Sequence, residues 1–167
     1  LSGSWFSIAL IRAGWDGIVI HNQSDSWVNV FIDDDHVEFL DATYLLGKGT
    51  YETEEAIREK LGDEQIRSCT IGPCGEHGVR FANVTNDGRQ AGRTGHGSVW
   101  ASKKLKALSV RGTKGVRVYD PQTLMQLSYD ISKAAQGEHT AKYRIYGTAT
   151  GMKNFSAMGV LLTRNFQ

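Results

Sequence analysis

Nineteen glycines stand against two prolines in this 167-residue chain, so its sharp turns rest on residues that accept either sign of φ. Apolar runs are short. The longest, Ala157 to Leu162, contains Gly159 and falls far below the roughly 20 residues that span a bilayer. No basic, apolar, small-residue leader opens the sequence, and it starts at Leu1 rather than Met, which reads as a processed or excised piece. A soluble chain in a reducing, cytoplasmic compartment is the expectation.

Hydrophobic residues make up 40% and charged residues 22%, a globular composition rather than a disordered one. Nineteen basic side chains against 18 acidic ones leave a formal charge of +1. Whole-chain attraction to nucleic acid or to a membrane surface is not indicated. Cys69 and Cys74 are the two cysteines, too few for a disulfide scaffold or for a four-thiolate iron–sulfur cluster within this chain. Cys69 lies in a strand pattern and reads as a small core residue, Cys74 as part of a glycine-rich loop.

Local patterns alternate between strand and helix. Ser4 to Ala13 predicts a short helix stopped at Gly14, and Gly17-Ile18-Val19-Ile20-His21 predicts a buried strand. Val28 to Ile32 and Val37 to Leu40 flank Asp33-Asp34-Asp35, which suits an antiparallel hairpin with a solvated turn. Thr50 to Leu61 carries acids in its first turn, bases near its end and Gly62 beyond, all signs of a helix. Strands are predicted at Gln65 to Ile71, Val79 to Val84, Ala107 to Val110 and Val116 to Tyr119. Asn86-Asp87-Gly88 marks a turn, Ser98 to Leu105 a helix, and Asp120-Pro121 the start of another that runs to Gly137. Without regular βαβ alternation the fold class is α+β, with mixed or antiparallel sheets and short helices.

The richest stretch chemically is Asn86 to Lys106. Gly92, Gly95 and Gly97 allow close backbone approach, a helix is predicted just after them, and Arg89 and Arg93 add positive charge. A phosphate cradle and a plain glycine-rich turn both fit this spacing, which is neither a dinucleotide fingerprint nor a P-loop. His96 reads either as a donor to a bound group or as a loop imidazole. Lys103, Lys104 and Lys106 extend the basic region and read as a solvated helix end.

Several segments together resemble the N-terminal domain of the tungsten-dependent aldehyde:ferredoxin oxidoreductases. They are Ala13 to Ile20, Asp41-Ala42 with Leu46-Gly47-Lys48 and Glu52-Thr53-Glu54, Ile71 to Glu76, and Ala91 to Gly97 continuing into Ser102 to Ala107. They occur in the family's order with nearly its spacing. The resemblance covers residue 1 to about 120 as part of the tungstopterin-binding domain, and 121–167 resembles the start of the following, mainly helical domain. Leu1 stands where the family usually has asparagine, the Arg89-Gln90-Ala91 stretch is one residue shorter, and Ala101 and Lys104 replace glycine and asparagine.

The resemblance implies a base under a tungsten or molybdenum bis-pterin cofactor whose phosphates are bridged by magnesium. It places the protein contacts at Leu1-Ser2-Gly3 and Gln90-Ala91-Gly92-Arg93, with Gly3, Arg89, Gln90, Ala91, Gly92, Arg93 and Gly95 as cofactor-binding candidates. It puts the iron–sulfur ligands and the catalytic acid–base groups outside this segment, so the 167 residues alone are expected to be inactive. The implied partners are the remainder of the enzyme, ferredoxin, a small carbonyl substrate and a second copy in a homodimer. A binding module that kept the fold and lost the metal is the competing reading.

Overall fold

The computed structural model describes residues 3–161. Contacts within the chain divide it into two compact units, Leu1–Val116 and Arg117–Gln167.

The first unit is built on a six-stranded mixed sheet with strands β1 (Val28–Asp33), β2 (His36–Asp41), β3 (Arg67–Thr70), β4 (Val84–Asn86), β5 (Arg89–Ala91) and β6 (Leu105–Arg111). Their spatial order is β2-β1-β6-β3-β4-β5. β1 and β2 pair antiparallel with Asp33 opposite His36, so the predicted hairpin forms and Asp34 and Asp35 make its turn. β1 runs parallel to β6, and β3, β4 and β5 continue antiparallel. The α+β class read from the sequence is therefore the class observed.

Helices cover both faces. α1 (Trp5–Ala13) and α4 (His96–Ser102) border the larger apolar cluster, where Ala9 and Ala13 meet Val28, Val30, Ile32, Leu108 and Val110. α2 (Thr50–Leu61) packs Ile57 with Leu45, Ile66 and Ala107 on the other side. The odd–even alternation of β1 sends Val28, Val30 and Ile32 to one cluster and Phe31 to the other. A short α3 (Pro73–Glu76) follows β3, with its proline at the first turn, where a missing N–H costs nothing.

Four sequence expectations are corrected. Residues 17–21 form no strand and pair with neither edge strand of the sheet, β2 or β5. Ile18 and Ile20 still pack on the core while Val19 points outward. Residues 79–83 are turns rather than strand: Gly78 takes a left-handed φ of 69° and pairing begins only at Val84. The predicted 98–105 helix is shifted, since Lys104 at φ 54° ends it and Leu105, 1% exposed, opens β6. Residues 116–119 lie outside any sheet, with Tyr119 fully exposed.

The second unit contains α5 (Pro121–Ala135), α6 (Glu138–Tyr146) and α7 (Met152–Ala157). Asp120 caps α5 as read from the sequence, its side chain accepting from the Gln122 and Thr123 amides at 3.1 Å. None of the three helices contains a buried residue. Among the described residues no helix is long and apolar enough to cross a membrane.

Candidate functional site

The candidate site grows from the β4–β5 hairpin. Asn86 pairs with Arg89, leaving Asp87 and Gly88 as a two-residue turn with φ values of 43° and 74°. Positive φ at both positions matches the right-handed twist of the flanking strands, and Asp-Gly is a favoured pair for it. The turn projects Arg89 and Gln90, both exposed, along the sheet edge.

Beside this turn lies the start of α1. Ser4 donates its hydroxyl to Asp87 Oδ2 at 2.5 Å across 83 positions of sequence. Gly3, Ser4, Trp5, Asp87, Gly88, Arg89 and Gln90 line one open cleft of about 790 Å³. Gly3 therefore meets Arg89 and Gln90 in space; Leu1 and Ser2, the other members of the predicted first segment, lie outside the described residues. A second cleft of about 310 Å³ runs along Gln90, Ala91, Gly92, Arg93, Thr94 and His96. The side-chain amides of Gln90 and Asn83 meet at 2.6 Å and hold the wall shared by the two clefts. In the second, Thr94 Oγ1 lies 3.0 Å from His96 Nε2.

The loop glycines separate by role. Gly92 is exposed, and a Cβ there would make only ordinary contacts with Asn83, the nearest at 3.7 Å. Gly95 is buried at φ 70°, and a Cβ would sit 2.0 Å from the Arg80 carbonyl oxygen. Gly97 is buried too, with a would-be Cβ 2.7 Å from the Asn83 carbonyl oxygen. At 95 and 97 the missing side chain admits the chain's own backbone.

The expectation that α4 directs unpaired amides at an anion is corrected as well. The Gly97 amide donates to Ala82 O at 2.9 Å, and those of Ser98 and Val99 donate to Gly95 O. The helix is seated on the 79–83 turns, which take up the Gly97 amide. The basic run also turns inward. Lys103 Nζ donates to Asn22 O, Lys104 Nζ to Asp25 O, and Lys106 Nζ to Glu76, Ile71 O and Lys48 O. Lys106 is fully buried, so the solvated helix end read from the sequence does not describe it. Arg89 and Arg93 remain exposed, and neither guanidinium reaches a carboxylate among the described residues.

Sequence reasoning missed Glu54. It is 4% exposed, on the same face of α2 as Ile57, and its Oε1 accepts the Asp87 amide at 3.2 Å. The three-residue step from Glu54 to Ile57 was the signal available. Burial, and then the Asp87 charge, pushes the Glu54 carboxyl up to about 7. Burial, with Glu54 and Asp87 adding to it, pushes the Cys69 thiol up to about 12, as suits the core residue read from the sequence. Cys74 is exposed. Asp33–Asp35 form a tied surface turn, and no group of three metal-binding side chains occurs among the described residues.

Two exposed guanidinium groups beside open clefts and glycine-bearing backbone form a donor set suited to phosphate oxygens. Residues 1–112 match the family profile described as aldehyde ferredoxin oxidoreductase, N-terminal domain. The chain belongs to that family. It is 43% identical over 169 aligned residues to the tungsten-containing aldehyde ferredoxin oxidoreductase of Thermococcus kodakarensis, covering 99% of this chain and 28% of the relative. It is 33% identical to the aliphatic sulfonate oxidoreductase, WOR-like subunit, of Pyrococcus furiosus, covering 89% of this chain and 26% of that one. Among solved structures it resembles the active site complex BamBC of benzoyl coenzyme A reductase in complex with 1,5-dienoyl-CoA. That likeness has a TM-score of 0.78 and 34% identity, covering 81% of this chain and 21% of the other. The chain thus spans somewhat over a quarter of its curated aldehyde-oxidoreductase relatives' length.

Proposed function

We propose that this chain is the cofactor-base segment of a tungsten (or molybdenum) bis-pterin oxidoreductase acting on aldehydes or a related carbonyl compound. Residues 1–120 are part of its tungstopterin-binding domain and 121–167 begin the next, mainly helical one. An iron–sulfur cluster ligated outside this segment passes electrons to ferredoxin, and the whole enzyme works in the cytoplasm as a homodimer. The observation that carries this reading is the meeting of Gly3 with Arg89 and Gln90, far apart in sequence, at one open cleft.

When bound, the metal–pterin cofactor with its magnesium would supply the two-electron redox chemistry. The residues of this chain supply position and charge. Arg89 faces the larger cleft and Arg93 the smaller, each with a planar fork matched to phosphate oxygens. Gly3 and Gly92 offer backbone without a side chain in the way, Gln90 lines both clefts and Ala91 the smaller one. Gly95 contributes by seating α4 against Arg80 rather than by contact. Substrate choice is set elsewhere: relatives sharing this segment bear names for aldehyde, sulfonate and benzoyl coenzyme A chemistry.

Metal and pterin per protein, measured in the full-length enzyme, test the reading. A charge-assisted hydrogen bond is worth about 1.5–3 kcal/mol, so Arg93→Ala and Arg89→Ala should each weaken cofactor retention by roughly one to two powers of ten. Wild-type content in both variants refutes the assignment. A native enzyme free of metal and pterin favours the cofactor-free binding module instead.

A further inference from the structure

Three side chains from three elements form a line under the larger cleft. Glu54, on α2, accepts the Asp87 amide at 3.2 Å, and Asp87, on the β4–β5 turn, accepts the Ser4 hydroxyl at 2.5 Å. Ser4 and Asp87 line the cleft, whereas Glu54 lies behind it, 4% exposed. The line joins the two segments that carry Gly3 and Arg89.

We infer that Glu54 is a positioning residue for this cleft, acting through Asp87 and Ser4 to set the spacing between Gly3 and Arg89. The inference rests on the cofactor-base reading for what the cleft holds, not for the line of contacts itself.

The charges around Glu54 make the device sensitive to protons. Asp87 faces it from the turn, Arg58 from its own helix, and Arg67 and Cys69 from β3. Arg67 is engaged with the Glu64 and Ile66 carbonyls, and Arg58 lies 3.5 Å from the Glu64 carboxylate. Neither cation forms an ion pair with Glu54 among the described residues. With Glu54 neutral, its carboxyl oxygen accepts the Asp87 N–H without a charge opposing Asp87. With Glu54 ionised, a buried charge stands behind the half-buried Asp87 carboxylate; burial and then that repulsion outweigh the stronger hydrogen bond from the Asp87 amide, and the turn loosens. With burial pushing the carboxyl from 4.5 up to about 7, the hold of this line on the turn weakens as pH rises from about 4.5 to 7 and changes little above.

The test uses the full-length enzyme as wild type, Glu54→Gln and Ser4→Ala. It has two readouts, amide hydrogen exchange of residues 86–90 between pH 4.5 and 8 and metal and pterin per protein. In the wild type, exchange corrected for intrinsic base catalysis should rise by up to about tenfold per pH unit between pH 4.5 and 7, the limit for one linked proton, and level off above. Glu54→Gln keeps an acceptor of the same shape and should keep the protection the wild type has near pH 4.5 while losing that rise. Ser4→Ala should speed exchange of the turn about tenfold, the value of one hydrogen bond to a carboxylate, and lower cofactor content. A wild-type pH response in Glu54→Gln overturns the inference, as does unchanged turn exchange in Ser4→Ala. A wild-type enzyme free of pterin would refute the cofactor reading alone, because the exchange measurements still decide the positioning role.

Discussion

Replacing Lys106 with methionine keeps the length of the side chain and removes its charge. Lys106 is 0% exposed, and its ammonium donates to Glu76 at 2.5 Å, Ile71 O at 2.6 Å and Lys48 O at 3.1 Å. Burial pulls its pKa below the usual lysine range while the Glu76 partner pushes back. Glu76, with its side chain 8% exposed, also accepts the Gly47 amide at 2.9 Å. Losing the lysine leaves a buried carboxylate and two carbonyls unpaired. Removing one partner of a buried ion pair costs about 3–5 kcal/mol, or roughly two to three and a half powers of ten in a local opening equilibrium. Native-state hydrogen exchange of the Gly47 and Ile71 amides in the full-length protein reads that opening. The double variant Lys106→Met/Glu76→Leu removes the stranded charge and should recover most of the loss. An increase under tenfold in the single variant, or a double variant no better than the single one, would refute the reasoning.

Gly97→Ala should destabilise the first unit by about 1–3 kcal/mol, the usual cost of forcing an extra carbon into packed backbone, seen as faster exchange across α4. Thiol labelling resolved by mass spectrometry should modify Cys74 readily and Cys69 at least about a hundredfold more slowly, since one is exposed and the other buried with a raised pKa; equal rates would contradict the structure. Glu54 gives a pH-dependent stability. Burial pushes its folded carboxyl up to about 7 from the ordinary 4.5, so ionisation is a penalty felt mainly by the folded state. That penalty is absent below pH 4.5, grows as pH rises and is complete above pH 7, reaching roughly 3 kcal/mol. Thermal melts of Glu54→Gln should match the wild type near pH 4.5 and exceed it increasingly towards pH 8, and parallel curves would sink this account.

Much of the first unit was legible because local signals agreed with one another. α2 runs from Thr50 to Leu61 as its terminal charges and Gly62 indicate, and the β1–β2 hairpin closes at the aspartates. The failures have a common physical origin. Residues 17–21 have the composition of a strand, yet a ladder needs a partner, and pairing of β1 with β2 and β6 is decided by contacts distant in sequence. β5 was hidden for the same reason: Arg89–Ala91 is short and polar, and only its partner β4 makes it a strand. The buried polar row of Ser68, Ser109 and Asn29 across β3, β6 and β1 is likewise a product of register. Glu54 was read as helix-stabilising charge because its neighbours at 52 and 55 stand towards solvent, as their exposure confirms.

The candidate site was legible in its members but not in their division of labour, and charge explains the difference. Sequence alone counts Arg89, Arg93, Lys103, Lys104 and Lys106 as one basic region. The fold gives each lysine to a backbone carbonyl, and Lys106 to Glu76 as well, so their positive charge is balanced or internally directed. The glycines divide in the same way: Gly95 and Gly97 admit the chain's own carbonyls, whereas Gly92 stays open. What remains turned outward is two guanidinium groups beside adjoining clefts, with Gly3 brought to one of them by the Ser4–Asp87 hydrogen bond. Anion binding here would therefore depend on few contacts held in fixed places, and it should respond to loss of either arginine far more than to neutralising Lys103 or Lys104.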